Sequence, residues 1–322
     1  MSEYRAPTND MLFVLEHIAD LSELASRAGY EQADLETVEG VLDEAARFME
    51  EQLVPLNRKG DEEGVVVEND QIFHPDGFSD AYQRFVEAGW NGIAMDEDHG
   101  GGGMPWCVGL AVQEMMTAAN MAFSLCPLLT QGAIDAITHH ASETLQEIYL
   151  PKMISGEWSG TMNLTEPHAG SDVGALTTKA TPGEDGTWLI SGTKIFITYG
   201  EHELSENIIH LVLARTPDAP PGTKGISLFI VPKFLVNEDG SLGERNDLRV
   251  VSSEHKIGIH ASPTCVMSYG DEGGAVGWMV GEENSGMRAM FTMMNNARLS
   301  VGLQGLSPVS YTHLTLPTKR IV

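Results

Sequence analysis

The segment Asn163–Ala175 (NLTEPHAGSDVGA) combines hydroxyl side chains with small residues at close spacing. Pro167 and Gly170 favour a tight loop, and small residues let backbone N–H groups approach a ligand closely. Thr165 and Ser171 add hydroxyl groups that can make directed hydrogen bonds. Such a loop suits a polar, anionic or heteroaromatic ligand, although the same residue types also suit an ordinary turn.

Two further segments carry candidate residues. In Gly192–Thr198 (GTKIFIT) an aromatic residue stands two positions before a threonine, although by residue type alone Phe196 also fits a core aromatic. Towards the C-terminus, Asn295 and Arg298 are three positions apart and would share one face of a helix. A solvated arginine is the plainer interpretation of that pair.

The first half of the chain has the apolar periodicity of helices. The predicted helical regions are 9–27, 33–53 (ended by Pro55), 78–89, and two or three helices within 105–155. Helices joined by short connections in this way form a bundle.

From Trp158 to about Val280 the chain is rich in short β-branched runs separated by turn residues. Trp188–Ser191 and Lys194–Thr198 are predicted as two strands joined by a Ser-Gly turn. The spacing favours a small antiparallel β-domain, a barrel or a sandwich, and the lack of βαβ alternation argues against a Rossmann sheet. Helical periodicity returns after Asn284.

The expected fold is therefore α+β, with a helical bundle, an antiparallel β-barrel domain and the first helix of a further helical domain. The predicted boundaries are 1–157, 158–284 and 285–307, followed by a tail over 308–322. The tail is Thr-rich and basic and has no helical period. We expect that it does not extend the preceding helix, and we interpret it as foreign or out-of-frame sequence.

Composition limits the partners of this chain. The chain has 19 Lys and Arg residues and 46 Asp and Glu residues, which gives a net charge of -27. This charge disfavours nucleic acid and anionic membranes as binding partners. The chain has no apolar run of the ~18 residues that a membrane span needs and no signal-peptide pattern. Three widely spaced cysteines support no disulfide framework, and His139 and His140 lack a third ligand for a metal site. A cytoplasmic protein without nucleic-acid, membrane or metal partners is expected.

The pattern Leu164-Thr165-Glu166-Pro167-x-x-Gly170-Ser171-Asp172-x-x-Ala175 resembles the first signature of the acyl-CoA dehydrogenase family. Gly192–Thr198 is similar to the family's second flavin-contacting strand. The resemblance covers roughly residues 10–306, and the N-terminal extension and EHKIGIHASPTC resemble a long branch that includes 3-methylmercaptopropionyl-CoA dehydrogenases.

The resemblance implies an FAD cofactor, an acyl-CoA substrate and an electron-transfer flavoprotein or similar acceptor. Family members are commonly homo-oligomers, so the full-length parent is expected to be one. The family's loop serine lies against the pantetheine part of CoA, and a helix arginine and the residue three before it contact CoA, which implies Ser171, Asn295 and Arg298 as substrate contacts. The implied FAD contacts are Met162, Leu164, Thr165, Gly170, Ser171, Phe196, Ile197 and Thr198.

The implied reaction is the α,β-dehydrogenation of an acyl-CoA thioester, with 3-methylthiopropionyl-CoA as a candidate substrate. In the family a glutamate removes the α-proton while hydride passes from the β-carbon to FAD. Some members carry that glutamate at the position of Ala297, and alanine cannot abstract a proton. The base is therefore expected in a later helical segment. No catalytic residue is assigned, and the chain is expected to be a truncated form.

Two alternatives remain open from the sequence. An acyl-CoA oxidase would pass its electrons to O₂, and the sequence cannot separate it from a dehydrogenase because solvent access to the flavin decides. A non-catalytic flavin- or DNA-binding relative is disfavoured by the acidic charge, since DNA binding needs a basic face.

Overall fold

A computed structural model describes residues 4–237 and 239–315, with side chains described as far as Val309. The first half is helical, and a last long helix follows the strands. The helices are α1 (Thr8–His17), α2 (Leu21–Ala25), α3 (Leu35–Phe48), α4 (Val54–Glu63), α5 (Phe78–Glu87), α6 (Trp106–Ala119), α7 (Met121–His140), α8 (Glu143–Ser155) and α9 (Gly286–Thr315).

Most of the strands lie between α8 and α9. They are β1 (Val66–Glu68), β2 (Gln71–Phe73), β3 (Trp158–Asn163), β4 (Lys179–Pro182), β5 (Trp188–Thr198), β6 (Asn207–Ala214), β7 (Ser227–Pro232), β8 (Phe234–Val236), β9 (Leu242–Arg245), β10 (Leu248–Ser253), β11 (Thr264–Tyr269) and β12 (Ala275–Val280). The division into four segments at residues 157, 284 and 307 stays a prediction.

Two of the predicted helix boundaries are wrong. The helix expected over 9–27 is interrupted at Asp20, which has a φ of 52° and whose side chain accepts a hydrogen bond from the Glu23 amide at the start of α2. Aspartate tolerates this left-handed conformation and is a good helix cap, so it favours a break. Pro55 does not end the second helix, because it lies in the first turn of α4, where a missing N–H is tolerated.

One π-helical turn, Met49–Leu53, joins α3 to α4 without a loop. The π-turn hydrogen-bonds each amide one residue further back than an α-helix does, so it accommodates the change of pattern before the proline. Helix therefore continues from Leu35 to Glu63.

Eight strands form one sheet in the order β10-β11-β5-β12-β7-β6-β3, with β4 paired to β5. β3 and β6 run parallel, whereas the other pairs in this sheet are antiparallel. The expectation of an antiparallel barrel is therefore wrong: the sheet is mixed and open. The chain passes through β4 and β5 between β3 and β6, and such a long crossover permits the parallel pairing that a hairpin cannot make.

The free edge of β3 is covered by α7. A Cβ at Gly160 would lie 2.5 Å from the Ala133 Cβ, and the Gly160 amide donates to the Thr130 hydroxyl at 3.0 Å. The helix thus takes the place that a closing strand would occupy in a barrel.

β5 is one continuous strand, so the predicted Ser191-Gly192 turn is wrong. A Cβ at Gly192 would lie 2.5 Å from the Thr178 Oγ1. The glycine therefore permits a close approach of neighbouring backbone rather than a reversal of the chain.

The last helix also departs from expectation. α9 passes through Pro308 and extends to Thr315, although the tail was expected not to continue it. A proline removes its own N–H from the helix ladder, and the helix on either side retains its bonds; the Ser307 hydroxyl donates to the Leu303 carbonyl at 2.9 Å. The part of the predicted tail over 316–322 lies outside the described residues.

By length and composition α7 could cross a membrane, although polar residues interrupt its apolar run. In the fold, 78% of its apolar window is buried inside the protein. It packs against β3, α6, α8 and α9, as a core helix does.

Candidate functional site

The loop after β3 is attached to β5 through two backbone carbonyls. The Ile195 amide donates to the Thr165 carbonyl at 2.9 Å, and the Lys194 Nζ donates to the Leu164 carbonyl at 2.9 Å. The loop closes on itself through the Glu166 and Ala169 backbones, which exchange two hydrogen bonds. The two candidate segments of the sequence therefore form one surface.

Glu166 is the centre of a buried polar cluster beneath this loop. Its carboxylate accepts hydrogen bonds from the amide and hydroxyl groups of Thr177 and Thr178 at 2.5–3.0 Å, and from the Lys194 Nζ at 2.9 Å. Glu166 is 2% exposed and Lys194 is fully buried. Because each buried charge has an opposite charge and further donors or acceptors, the cluster ties the loop to the two segments that flank it.

The pKa values of the pair follow from these contacts. Burial alone would raise the pKa of Glu166, but the Lys194 charge and the hydrogen bonds from Thr178, Lys194 and Thr177 outweigh it and lower the pKa to about 2. Burial lowers the pKa of Lys194 to about 8, although Glu166 acts in the opposite direction. Both groups are charged at neutral pH.

A β-bulge in β5 sets the direction of Phe196. The register with β11 shifts between Cys265 and Met267, so that Ile195 and Phe196 together lie opposite a single residue. Phe196 has a φ of 60°, which is a strained conformation for a bulky residue, and its side chain is 57% exposed. An exposed aromatic ring held by strained backbone suggests a ligand rather than packing as the reason for its conformation.

The outer side of the loop offers backbone donors and open space. Within the described residues, the Thr165 amide has no protein acceptor. The Gly160 amide donates to Thr130 on α7, so it points away from β6 to the free edge of β3. Amide directions alternate along a strand, so the Met162 amide points to the same edge. A Cβ at Gly170 would meet only the Thr165 Cγ2, at 3.9 Å, so the protein itself does not require a glycine there.

The loop and strand residues predicted from the sequence are brought together, with one qualification. Ile197 is 1% exposed, so it can contact a ligand only through its backbone. Gly170, Ser171 and Phe196 are exposed, and Thr165 and Thr198 are half-buried. The roles of these residues towards ligands stay predictions.

The two residues predicted on α9 are exposed and bonded to each other. The Arg298 Nη1 donates to the Asn295 Oδ1 at 2.7 Å, and the guanidinium lies 5.4 Å from the centre of the Phe291 ring. No hydrogen bond or ion pair joins them to the loop in the described part of the chain. Their substrate role therefore also stays a prediction.

Sequence reasoning did not assign a role to Glu166 or Lys194. A signal was present: Lys194 stands four positions after the core residue Ile190, so strand alternation places it on the buried face. A buried lysine needs a carboxylate, and Glu166 is the acidic residue of the TEP turn. Among residues 4–237 and 239–315, no group of three or more His, Cys, Asp or Glu side chains could hold a metal ion.

Two family models match the chain. The N-terminal domain of acyl-CoA dehydrogenases matches residues 36–157, and the middle domain of the same family matches residues 161–271. The chain is 50% identical to 3-methylmercaptopropionyl-CoA dehydrogenase of Ruegeria pomeroyi over 304 residues, which is 94% of this chain and 51% of that protein. It is 41% identical to a butyryl-CoA dehydrogenase of Syntrophomonas wolfei over 93% of this chain and 50% of that protein.

Solved structures show the same architecture. A glutaryl-CoA dehydrogenase in complex with glutaryl-CoA superposes with a TM-score of 0.66 at 25% identity, over 84% of this chain and 62% of that chain. Caenorhabditis elegans ACDH-11 in complex with C11-CoA superposes with a TM-score of 0.73 at 19% identity, over 95% of this chain and 52% of that chain. The chain spans about half the length of these two curated relatives.

Proposed function

Because the chain belongs to the acyl-CoA dehydrogenase family, we propose that it forms the flavin-binding half of an FAD-dependent enzyme that dehydrogenates acyl-CoA thioesters between Cα and Cβ. The observation that carries this proposal is the surface made by the loop and the β5 bulge. It joins an exposed aromatic ring, an open glycine position and the Thr165 amide, which has no acceptor among the described residues.

The residues of this surface fit FAD. The flavin ring is planar and heteroaromatic, so it can stack on Phe196 and accept hydrogen bonds from Thr165 and Thr198. Met162 and Leu164 would contribute backbone groups, Ile197 its backbone alone, and Gly170 and Ser171 the space and hydroxyl beside them. When bound, FAD supplies hydride acceptance, which no amino-acid side chain provides.

The chain's own residues position the reactants. Thr165 and Thr198 would orient the flavin through hydrogen bonds, and Ser171 would hold the pantetheine part of the acyl-CoA. Arg298, oriented by Asn295, would contact the CoA portion at the surface of α9. Such fixed geometry lowers the entropy cost of bringing substrate and cofactor together.

The base that removes the α-proton is not assigned within this chain. Ala297, at the position where some family members carry the glutamate, has only a methyl group and is buried. We place the base in a part of the whole protein outside these residues, so the chain alone is a fragment of the active enzyme. The whole protein would be a cytoplasmic homo-oligomer that passes electrons to an electron-transfer flavoprotein or a similar acceptor.

The names of the two relatives described above favour a substrate with a short acyl group. One is a 3-methylmercaptopropionyl-CoA dehydrogenase, and the other is a butyryl-CoA dehydrogenase. We therefore propose 3-methylthiopropionyl-CoA as the first candidate substrate and butyryl-CoA as the second.

The test is FAD titration followed by addition of substrate. The purified chain should quench FAD fluorescence on binding, and neither acyl-CoA should bleach the bound flavin. The whole protein should reduce a dye acceptor with 3-methylthiopropionyl-CoA faster than with butyryl-CoA. Absence of FAD binding by both proteins would contradict the proposed function, whereas bleaching in the chain alone would contradict the location of the base.

A further inference from the structure

The peptide unit between Leu164 and Thr165 has its two ends in different surroundings. Its carbonyl accepts the hydrogen bond from the fully buried Lys194 Nζ at 2.9 Å. In a trans peptide the N–H points opposite to the C=O, so the Thr165 amide points away from the lysine. That amide has no protein acceptor within the described residues.

The hydrogen bond from Lys194 is charge-assisted and shielded from water. A cation bound to a carbonyl polarises the whole peptide unit, which makes the N–H at its other end a stronger donor. The low dielectric of a buried site increases this effect because no water screens the charge. The Lys194 Nζ also donates to the Glu166 Oε1 at 2.9 Å, which holds the ammonium group in position.

We propose that Lys194 is a positioning and polarising residue that acts through the Leu164 carbonyl to make the Thr165 amide a strong hydrogen-bond donor to the pyrimidine edge of the flavin. The inference rests on the proposed function, because it takes FAD as the ligand. Reduction of a flavin places negative charge on that edge, at N1 and the neighbouring carbonyl. A strengthened donor there binds the reduced form more tightly than the oxidised form and raises the reduction potential.

A purely structural role for Lys194 makes different predictions. If the lysine only attached the loop to β5, its loss would loosen the loop without changing the electronic character of the Thr165 amide. The second buried lysine–glutamate pair, Lys233 with Glu201, provides the matched control. It is also almost fully buried, and its hydrogen bonds go to Glu201 and the His202 carbonyl, not to the flavin loop.

The experiment compares Lys194→Met with Lys233→Met in the full chain. Selective ¹⁵N-threonine labelling reports the Thr165 amide proton shift without FAD, fluorescence titration reports the FAD affinity, and a redox dye reports the potential of the bound flavin. Lys194→Met should move the Thr165 amide proton upfield, weaken FAD binding about tenfold and lower the potential. Lys233→Met should leave all three unchanged even where it lowers stability.

A backbone variant keeps the test decisive if Lys194→Met does not fold. An ester in place of the Thr165 amide removes that N–H and retains every side chain. It should weaken FAD binding by a similar factor, and where both changes can be combined their effects should not add, since they act on one hydrogen bond.

The outcomes separate the two proposals. If the unmodified chain and the whole protein both fail to bind FAD, the proposed function is overturned. A second outcome is that FAD binds while Lys194→Met changes none of three quantities: the Thr165 amide proton shift, the FAD affinity and the reduction potential of the bound flavin. That result overturns only the polarising role of Lys194. An ester at Thr165 without effect on FAD affinity would also overturn it.

Discussion

Packing among the described residues does not account for two residues of the candidate site. Gly170 has room for a side chain, since the nearest atom to an added Cβ is the Thr165 Cγ2 at 3.9 Å. Phe196 buries less than half of its side chain although its backbone is strained. Both features fit the proposed ligand, which would approach the backbone at Gly170 and cover the ring of Phe196.

The glycine gives the first prediction. Gly170→Val should fold normally but lose FAD affinity by about tenfold or more, because the added branch occupies the space that the ligand needs. Gly258→Val is the control, since an added Cβ there meets no atom of the described residues within 4 Å and Gly258 lies outside the loop. Thermal melts and FAD titrations would check both variants, and equal FAD affinity in the two would contradict the prediction.

Two buried histidines make stability depend on pH. Burial lowers the pKa of His210 to about 3, and burial, with His74 next, lowers the pKa of His202 well below its usual range. The unfolded state therefore binds more protons than the folded state below pH ~6.5. His260 has the opposite sign, because hydrogen bonds to the Asp61 and Lys256 carbonyls raise its pKa.

We expect the free energy of unfolding to fall as the pH drops from about 6.5 towards 4. The two histidines together contribute up to about 3 kcal/mol per pH unit in that window. Urea unfolding at several pH values would measure this slope, and His210→Gln should reduce it by about half of that amount. The exposed residue His255 serves as the control in His255→Gln, and an equal slope in both variants would contradict the assignment.

At the scale of elements, the β5 bulge is the feature that builds the site. It frees the Ile195 amide to hold the Thr165 carbonyl and turns Phe196 outward. The sequence allows the loop and the strand to be predicted, because their residue types and spacing are local. It does not allow the bulge to be predicted, since the bulge depends on the register with β11, more than sixty positions further along the chain.

The same limit explains the other errors. α5 is close to its predicted range, because a helix is stabilised by neighbours within one turn. The open, mixed sheet and the continuous β5 differ from the predictions, since parallel pairing and the close contact of Gly192 with Thr178 depend on residues outside each strand. Glu166 and Lys194 are separated by 28 positions, so strand alternation indicates that Lys194 is buried but does not identify the carboxylate that pairs with it.

Phe196 provides the prediction for the bulge. Phe196→Asn should retain or slightly raise stability, since asparagine tolerates a φ of 60° and little buried surface is lost. The strain that it relieves is about 1 kcal/mol or more. FAD affinity should fall, because the ring that we propose to stack on the flavin is removed. Melting temperature and FAD titration measure the two effects, and a large loss of stability would show that the ring serves packing.

For the whole molecule, the net charge of -27 is the dominant property. Like charges at this density repel each other in the folded state, and salt screens that repulsion. Raising NaCl from about 20 mM to about 500 mM should increase the melting temperature by at least about 2 °C, which corresponds to ~1 kcal/mol for a domain of this size. KCl should act equally, because screening depends on ionic strength; a melting temperature independent of salt would contradict this reasoning.

The parallel pairing of β3 with β6 also determines when the site can exist. Each residue of β3 pairs with one about fifty positions later, so the strand that carries the flavin loop stays unpaired until β6 has left the ribosome. Lys194 and Glu166 precede β6 in the chain, so they can pair before β6 is synthesised. The loop between β3 and β4 then still lacks the β3–β6 pairing that holds it in the sheet. A nascent chain that ends before β6 should therefore not retain FAD, and cofactor loading should follow the completion of the sheet during biosynthesis.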